Sequence, residues 1–196
     1  MRVEVLFGGR GGQGVIFAGL LLARAAALYE GLHAVHSQLY GPEARGGVSR
    51  SDVVISDEPI TYPRVRRANV LVLLSQEAYE KYAHIAAEDS LILIERSLVE
   101  ATGARFEAEG PKIVSEDLIS TALEAAGTRS AINVVAVGYV ASATDLVRLS
   151  SLEEALKDLL VRQSSSLERN LKALRAGAEL AKKSGGPRER ARNIIS

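Results

Sequence analysis

A chain of 196 residues with 24 Lys plus Arg against 24 Asp plus Glu carries no formal net charge. Neutrality removes any general electrostatic case for nucleic acid or a membrane surface as partner. The absence of cysteine excludes disulfides, thiolate zinc sites and cysteine-ligated iron–sulfur clusters within these residues. The elements then follow in chain order. VEVLF (3–7) reads as a short buried strand, and FGGRGGQGV (7–15) holds five glycines in nine residues. A long apolar helix runs from about Gly14 to Glu30, apolar on nearly all sides and so expected to be sandwiched, with Gly31 ending it. HAVHSQ (33–38) is a second strand, which makes a strand–loop–helix–strand unit of the kind that builds parallel sheets. LYGPEARGG (39–47) is an irregular loop bracketed by Gly41-Pro42 and Gly46-Gly47.

VSRSDVVISD (48–57) alternates as a strand does, NVLVLL (69–74) has the continuous apolar character of a central parallel strand, and SLILIE (90–95) is another buried strand. Ser75 is placed to cap the helix after 74, with Glu77 in its first turn. KIV (112–114) fits a short edge strand; Ser115 is expected to cap the next helix, and Gly127 to end it. SAINVVAVGYVASATDLV (130–147) reads as one packed helix. Capping boxes are expected at Ser151/Glu154 and Ser165/Glu168. Leu167, Leu171, Leu174, Ala178 and Ala181 share one face of the last helix, where Glu168 and Lys172 form an i,i+4 pair. The expected whole is a Rossmann-like α/β fold: an open, mostly parallel sheet with flanking helices and a helical C-terminal segment. It forms one domain over 1–184, followed by a basic flexible tail over 185–196. Met1-Arg2-Val3 leads straight into a strand, so no signal peptide is expected. The most apolar segment, 15–28, is broken by Arg24 and falls short of the roughly 20 residues a bilayer span needs. A cytoplasmic location is expected.

Gly9, Gly11 and Gly14 fit G-x-G-x-x-G between a strand and a helix. Unpaired N–H groups at the helix start attract phosphate, and missing side chains let the backbone approach it. A dinucleotide site also wants an acid at the end of the second strand, where this chain has Ser37-Gln38. That counts against NAD and leaves the pyrophosphate of another cofactor, or a turn that only permits close packing. Arg10 suits a phosphate or an exposed turn, and Gln13 a ligand or a partner. In the second loop Glu43 and Arg45 suit a ligand, a partner subunit or each other. His33 and His36 lie on opposite faces of their strand and do not chelate together, and His84 reads as a surface residue. No nucleophile, base and oxyanion hole assemble, so no catalytic and no metal-ligating residue is assigned.

GRGGQGV, YGPEARGGVSRSDVVISDEPITYP (40–63) and NVLVLLSQEAYEKY (69–82) together resemble the gamma subunit of 2-oxoacid:ferredoxin oxidoreductases. INVVAVGYVAS and LERNLKALRAGAELA extend the likeness over most of the chain, and the second loop is most similar to the 2-oxoglutarate type. The resemblance implies an enzyme active only as a complex, which oxidatively decarboxylates a 2-oxoacid, transfers the acyl group to coenzyme A and reduces ferredoxin. Thiamine diphosphate, Mg2+ and the iron–sulfur clusters would lie on partner alpha, beta and ferredoxin-like delta subunits. Coenzyme A would meet Gly9, Arg10, Gly11, Gly12, Gln13 and Gly14, since its 3′-phosphate disfavours the acid that NAD wants. Tyr40, Gly41, Pro42, Glu43, Arg45 and Gly46 would face a partner subunit. Pyruvate, 2-oxoisovalerate and indolepyruvate enzymes, and a freestanding NAD-binding oxidoreductase, are the alternatives. A homodimer is one state open to the isolated chain.

Overall fold

Six strands form one sheet in the order β2-β3-β1-β4-β5-β6. The computed structural model describes residues 1–39, 47–102 and 110–185. The strands are β1 (Arg2–Arg10), β2 (His33–Leu39), β3 (Val48–Ser56), β4 (Ala68–Leu73), β5 (Ala86–Glu95) and β6 (Lys112–Glu116). The helices are α1 (Val15–Tyr29), α2 (Gln76–Tyr82), α3 (Leu118–Ala126), α4 (Ile132–Thr144), α5 (Leu149–Leu159) and α6 (Ser164–Lys183). Short 3-10 turns occupy Ala83–Ile85 and Arg129–Ala131.

β1, β4, β5 and β6 run parallel, whereas β3 is antiparallel to both β1 and β2. The α/β expectation holds, with a mixed sheet. The strand–helix–strand unit differs in one respect: β1 and β2 point the same way, but β3 lies between them. β3 pairs with β1 along its whole length, from Arg2 opposite Ser56 to Arg10 opposite Val48. Its C-terminal half is buried on both faces, so the alternation read in 48–57 stops at Ser51.

The two faces of the sheet are covered unequally. Val3, Val5, Phe7, Val53, Ile55, Val72 and Leu93 face a thick layer built from α1, α3, α4, α5 and α6. Leu6, Val54, Leu71, Leu73, Ile92 and Ile94 face a thinner layer with Val65, Val99, Ala78, Tyr79 and Tyr82. α1 lies between the sheet and α5, which explains its all-round apolarity. In α4 every residue except Ser142 is buried.

Several helix ends depart from expectation. The run 130–147 breaks at Asp145, which takes the left-handed conformation (φ 55°), and Thr144 Oγ1 donates to Val140 O while accepting from Leu146 N. Ser115 lies in β6, and Asp117 takes the N-cap position of α3 without making a side-chain cap. Neither capping box forms. α5 begins before Ser151, whose buried hydroxyl bonds the Glu30 carboxylate instead, and α6 begins at Ser164, so Ser165 is already helical. In α5 burial of Ser151 and Leu152 accompanies a start earlier than the local signal, whereas α6 begins early with Ser164 and Ser165 exposed. Glu168 and Lys172 do pair, at 2.8 Å. Ser75 does cap α2, accepting from Ala78 N at 3.2 Å. Ser75→Ala is expected to lower unfolding free energy by about 1 kcal/mol, measured by urea denaturation.

Candidate functional site

The glycine turn joins the C-terminal end of β1 to α1 at the edge of the sheet where ligands meet open α/β folds. Its path is set from within. Gln13 N donates to Arg10 O at 3.1 Å, and Gln13 Oε1 accepts from Arg10 N at 2.6 Å. Gln13 Nε2 reaches across to Leu74 O at 2.7 Å, tying the turn to the end of β4. The Gln13 amide is therefore committed to the turn, as a positioning residue.

Four of the five glycines have a structural reason. A Cβ on Gly8 would press on Leu73, Tyr82 and Ala78, and one on Gly9 would meet Gln13 Oε1 at 2.6 Å. Gly12 (φ 91°) and Gly14 (φ 70°) are left-handed, and Gly14 also packs against Asn133. Gly11 is different. It has no positive φ, and a Cβ there would meet nothing within 4 Å. Its exposed backbone is bare although the fold does not require it to be.

α1 starts at this turn with Gly14 as N-cap, no side-chain cap and no acid in its first turn. The positive end of its dipole is thus left without an internal anion. Arg10 does not stand free. Its Nε donates to Glu77 Oε2 at 2.8 Å, and this bond holds the Glu77 carboxyl below its ordinary pKa and the guanidinium above its own. A phosphate at Arg10 has to compete with that carboxylate. The partner loop Tyr40, Gly41, Pro42, Glu43, Arg45 and Gly46 lies outside the described residues. Its flanks, Leu39 and Val48, are in register with Arg50 and Arg10, beside the glycine turn.

The acid sought at the end of β2 loses its meaning in this topology. β2 is two strand spacings from β1, roughly 9–10 Å, with β3 between. No side chain there occupies the position that a ribose-binding acid takes on a neighbouring parallel strand.

One contributor escaped the sequence reading. Asn133 Nδ2 donates to Gly14 O at 3.0 Å, which joins the start of α4 to the start of α1. A lone amide in the apolar run SAINVVAV was its only signal. Beside it lies a cleft of about 250 Å³ between α1, α4 and α6. At the opposite edge of the sheet, Glu4 satisfies a second polar cluster: it accepts from Arg66 N at 2.7 Å and from Arg2 Nη2 at 2.9 Å. His36 Nε2 and Ser51 Oγ are 2.9 Å apart beneath Gly19, but Ser51 is fully buried and serves packing. Among the described residues no three His, Asp or Glu side chains could hold a metal, and no helix is long and apolar enough to cross a membrane.

Residues 4–180 match the family model for pyruvate ferredoxin/flavodoxin oxidoreductase. A 2-oxoglutarate synthase subunit KorC of Methanocaldococcus jannaschii is 41% identical over 188 residues, covering 93% of this chain and 95% of the relative. The pyruvate/ketoisovalerate oxidoreductases common subunit gamma of Pyrococcus furiosus is 32% identical over 90% of this chain and 96% of its own. Among solved structures, the keto/oxoacid ferredoxin oxidoreductase gamma subunit of Geobacter sulfurreducens superposes with a TM-score of 0.79 at 35% identity, over 93% of this chain and 98% of that one. The glycine turn, the mixed sheet and the near full-length similarity converge: the chain belongs to the pyruvate ferredoxin/flavodoxin oxidoreductase family, as a gamma subunit of the 2-oxoacid:ferredoxin oxidoreductases.

Proposed function

We propose that this chain is the gamma subunit of a 2-oxoglutarate:ferredoxin oxidoreductase and that its glycine turn binds the pyrophosphate of coenzyme A. The complex converts 2-oxoglutarate and coenzyme A to succinyl-CoA and CO2, and two electrons pass to ferredoxin. The 41% identity to a 2-oxoglutarate synthase subunit supports the substrate. The similarity to a subunit shared by pyruvate and ketoisovalerate oxidoreductases supports a second reading, in which the 2-oxoacid is pyruvate or 2-oxoisovalerate. Ferredoxin reduction by the assembled enzyme across a panel of 2-oxoacids decides between them; a higher kcat/KM for pyruvate than for 2-oxoglutarate overturns the first.

The residues present do not suit the remaining cofactors. Cysteine is absent, and the described residues offer no acidic cluster for Mg2+ and thiamine diphosphate. Those groups belong on alpha, beta and delta partners, with decarboxylation and electron transfer. This chain's part is to bind and orient.

The observation that carries the coenzyme A reading is Gly11. Bare backbone next to an uncapped helix start suits a diphosphate, whose oxygens accept from unpaired N–H groups. Glu77 keeps Arg10 turned along the rim, where it can exchange a carboxylate for a phosphate. Gly11→Leu covers the turn without disturbing packing. Losing a charge-assisted hydrogen-bond set of about 1.5–3 kcal/mol is expected to raise KM for coenzyme A roughly ten- to a hundredfold, with subunit assembly unchanged by gel filtration. An unchanged KM in an intact complex would make the turn purely structural.

A further inference from the structure

Arg10 is the one charged residue of the glycine turn, and its guanidinium is already occupied. Nε donates to Glu77 Oε2 at 2.8 Å and Nη2 donates to Oε1, so the two planar groups meet as a bidentate fork. The backbone on each side fixes where these side chains start. Both main-chain groups of Arg10 are bonded by Gln13. Glu77 lies in the first turn of α2, which Ser75 caps. Leu74 N donates to Gly8 O at 2.9 Å, and Gln13 Nε2 donates to Leu74 O at 2.7 Å. The end of β1 and the start of α2 therefore hold one spacing, and only the two side chains are free to part.

Burial does not hold them together. Arg10 and Glu77 are 61% and 45% exposed, against 15% and 1% for Arg50 and Asp52. Neither side chain has a second partner among the described residues. An ion pair in water contributes little to the fold. An anion arriving from solvent can take over the guanidinium without disturbing any apolar contact.

We propose that Glu77 is a built-in competitor at the anion site: its carboxylate occupies Arg10 in the free protein, a phosphate of coenzyme A displaces it, and the exchange sets the affinity of the turn. This rests on the pyrophosphate reading above. Glu77 touches no ligand and acts through Arg10, as a positioning residue. Coenzyme A and the acyl-CoA product carry the same pyrophosphate, so Glu77 weakens both alike and favours release of the product.

Dissociation constants for coenzyme A and succinyl-CoA, measured by calorimetry on the assembled enzyme without 2-oxoacid, test the exchange. Glu77→Gln keeps the side-chain shape at an exposed helical position, so the variant folds. It is expected to tighten both ligands about fivefold, the upper end for an exposed ion pair. Arg10→Gln is expected to weaken both, and adding Glu77→Gln to it to change nothing further. The gain from Glu77→Gln is expected to vanish in 1 M KCl, where the Debye length is about 3 Å. A merely structural Glu77 gives no tightening when replaced. Unchanged or weaker binding in Glu77→Gln, or equal tightening with and without Arg10, overturns the proposal. Gly11→Leu keeps the two readings apart. Weakening of both ligands by Gly11→Leu with a silent Glu77→Gln sinks the competitor and spares the turn. A silent Gly11→Leu with Arg10-dependent tightening in Glu77→Gln keeps the competitor and takes the pyrophosphate off the Gly11 backbone.

Discussion

Gly177→Ala is expected to lower the unfolding free energy by about 3 kcal/mol, the upper end of the usual overpacking cost. An alanine at an ordinary interior helical position is worth up to about 1 kcal/mol over glycine, so the predicted sign is reversed. The reason is the crossing of α6 on α4. A Cβ at 177 would land on the carbonyl of Val135 and within 3.0 Å of Tyr139 N, and one at 138 would land on the carbonyl of Leu174. These neighbours are helical backbone, which cannot rotate aside as a side chain can. The two helices must separate, and α4 lies in the core along nearly its whole length. Gly138→Ala should behave alike, and the double variant should cost less than the sum because both changes widen one contact. Urea unfolding of the full chain measures all three. A Gly177→Ala protein as stable as wild type would mean the helices do not approach this closely.

Asp52→Ala is expected to cost about 3–5 kcal/mol, the range for breaking a buried ion pair. Asp52 is 1% exposed and accepts from Arg50 Nε at 2.6 Å, Arg50 Nη2 at 2.8 Å and Val65 N at 3.3 Å. Arg50 also donates to Val65 O and lies over the Tyr82 ring, 5.3 Å from its centroid. Removing the carboxylate leaves a largely buried guanidinium with one backbone acceptor. Replacing both residues, Arg50→Met with Asp52→Leu, should restore much of the loss, since no orphaned charge remains. A cost under about 1 kcal/mol for Asp52→Ala would place the pair with ordinary surface bridges. The pair also bears on the site: Arg50 stands opposite Gly8 on β1 and opposite Leu39 on β2, so it pins β3 where the glycine turn begins.

Sequence by itself determined the local elements and the family. Continuous apolar runs such as NVLVLL had to be buried strands, glycines at 31 and 127 ended helices in the left-handed conformation, and Ser75 capped the helix after it. These are short-range effects, written in neighbouring residues. The motif set around GRGGQGV pointed to the gamma subunit on the same local basis. Tertiary structure decided what depends on distant partners. Strand order is one case: nothing in HAVHSQ says that Val48–Ser56 will come between it and β1, and that insertion makes the acid test for NAD irrelevant. Helix starts are another, because burial of α5 drew Ser151 into the helix and gave its hydroxyl to Glu30, 121 positions away, against the local capping signal. The glycines divided the same way. Sequence saw five alike in one turn, whereas the folded chain assigns four to packing or positive φ and leaves Gly11 bare. The cleft was invisible for the same reason. Phe17, Asn133 and Arg169, which line it, come from three helices spread over the chain, and only their packing brings them together.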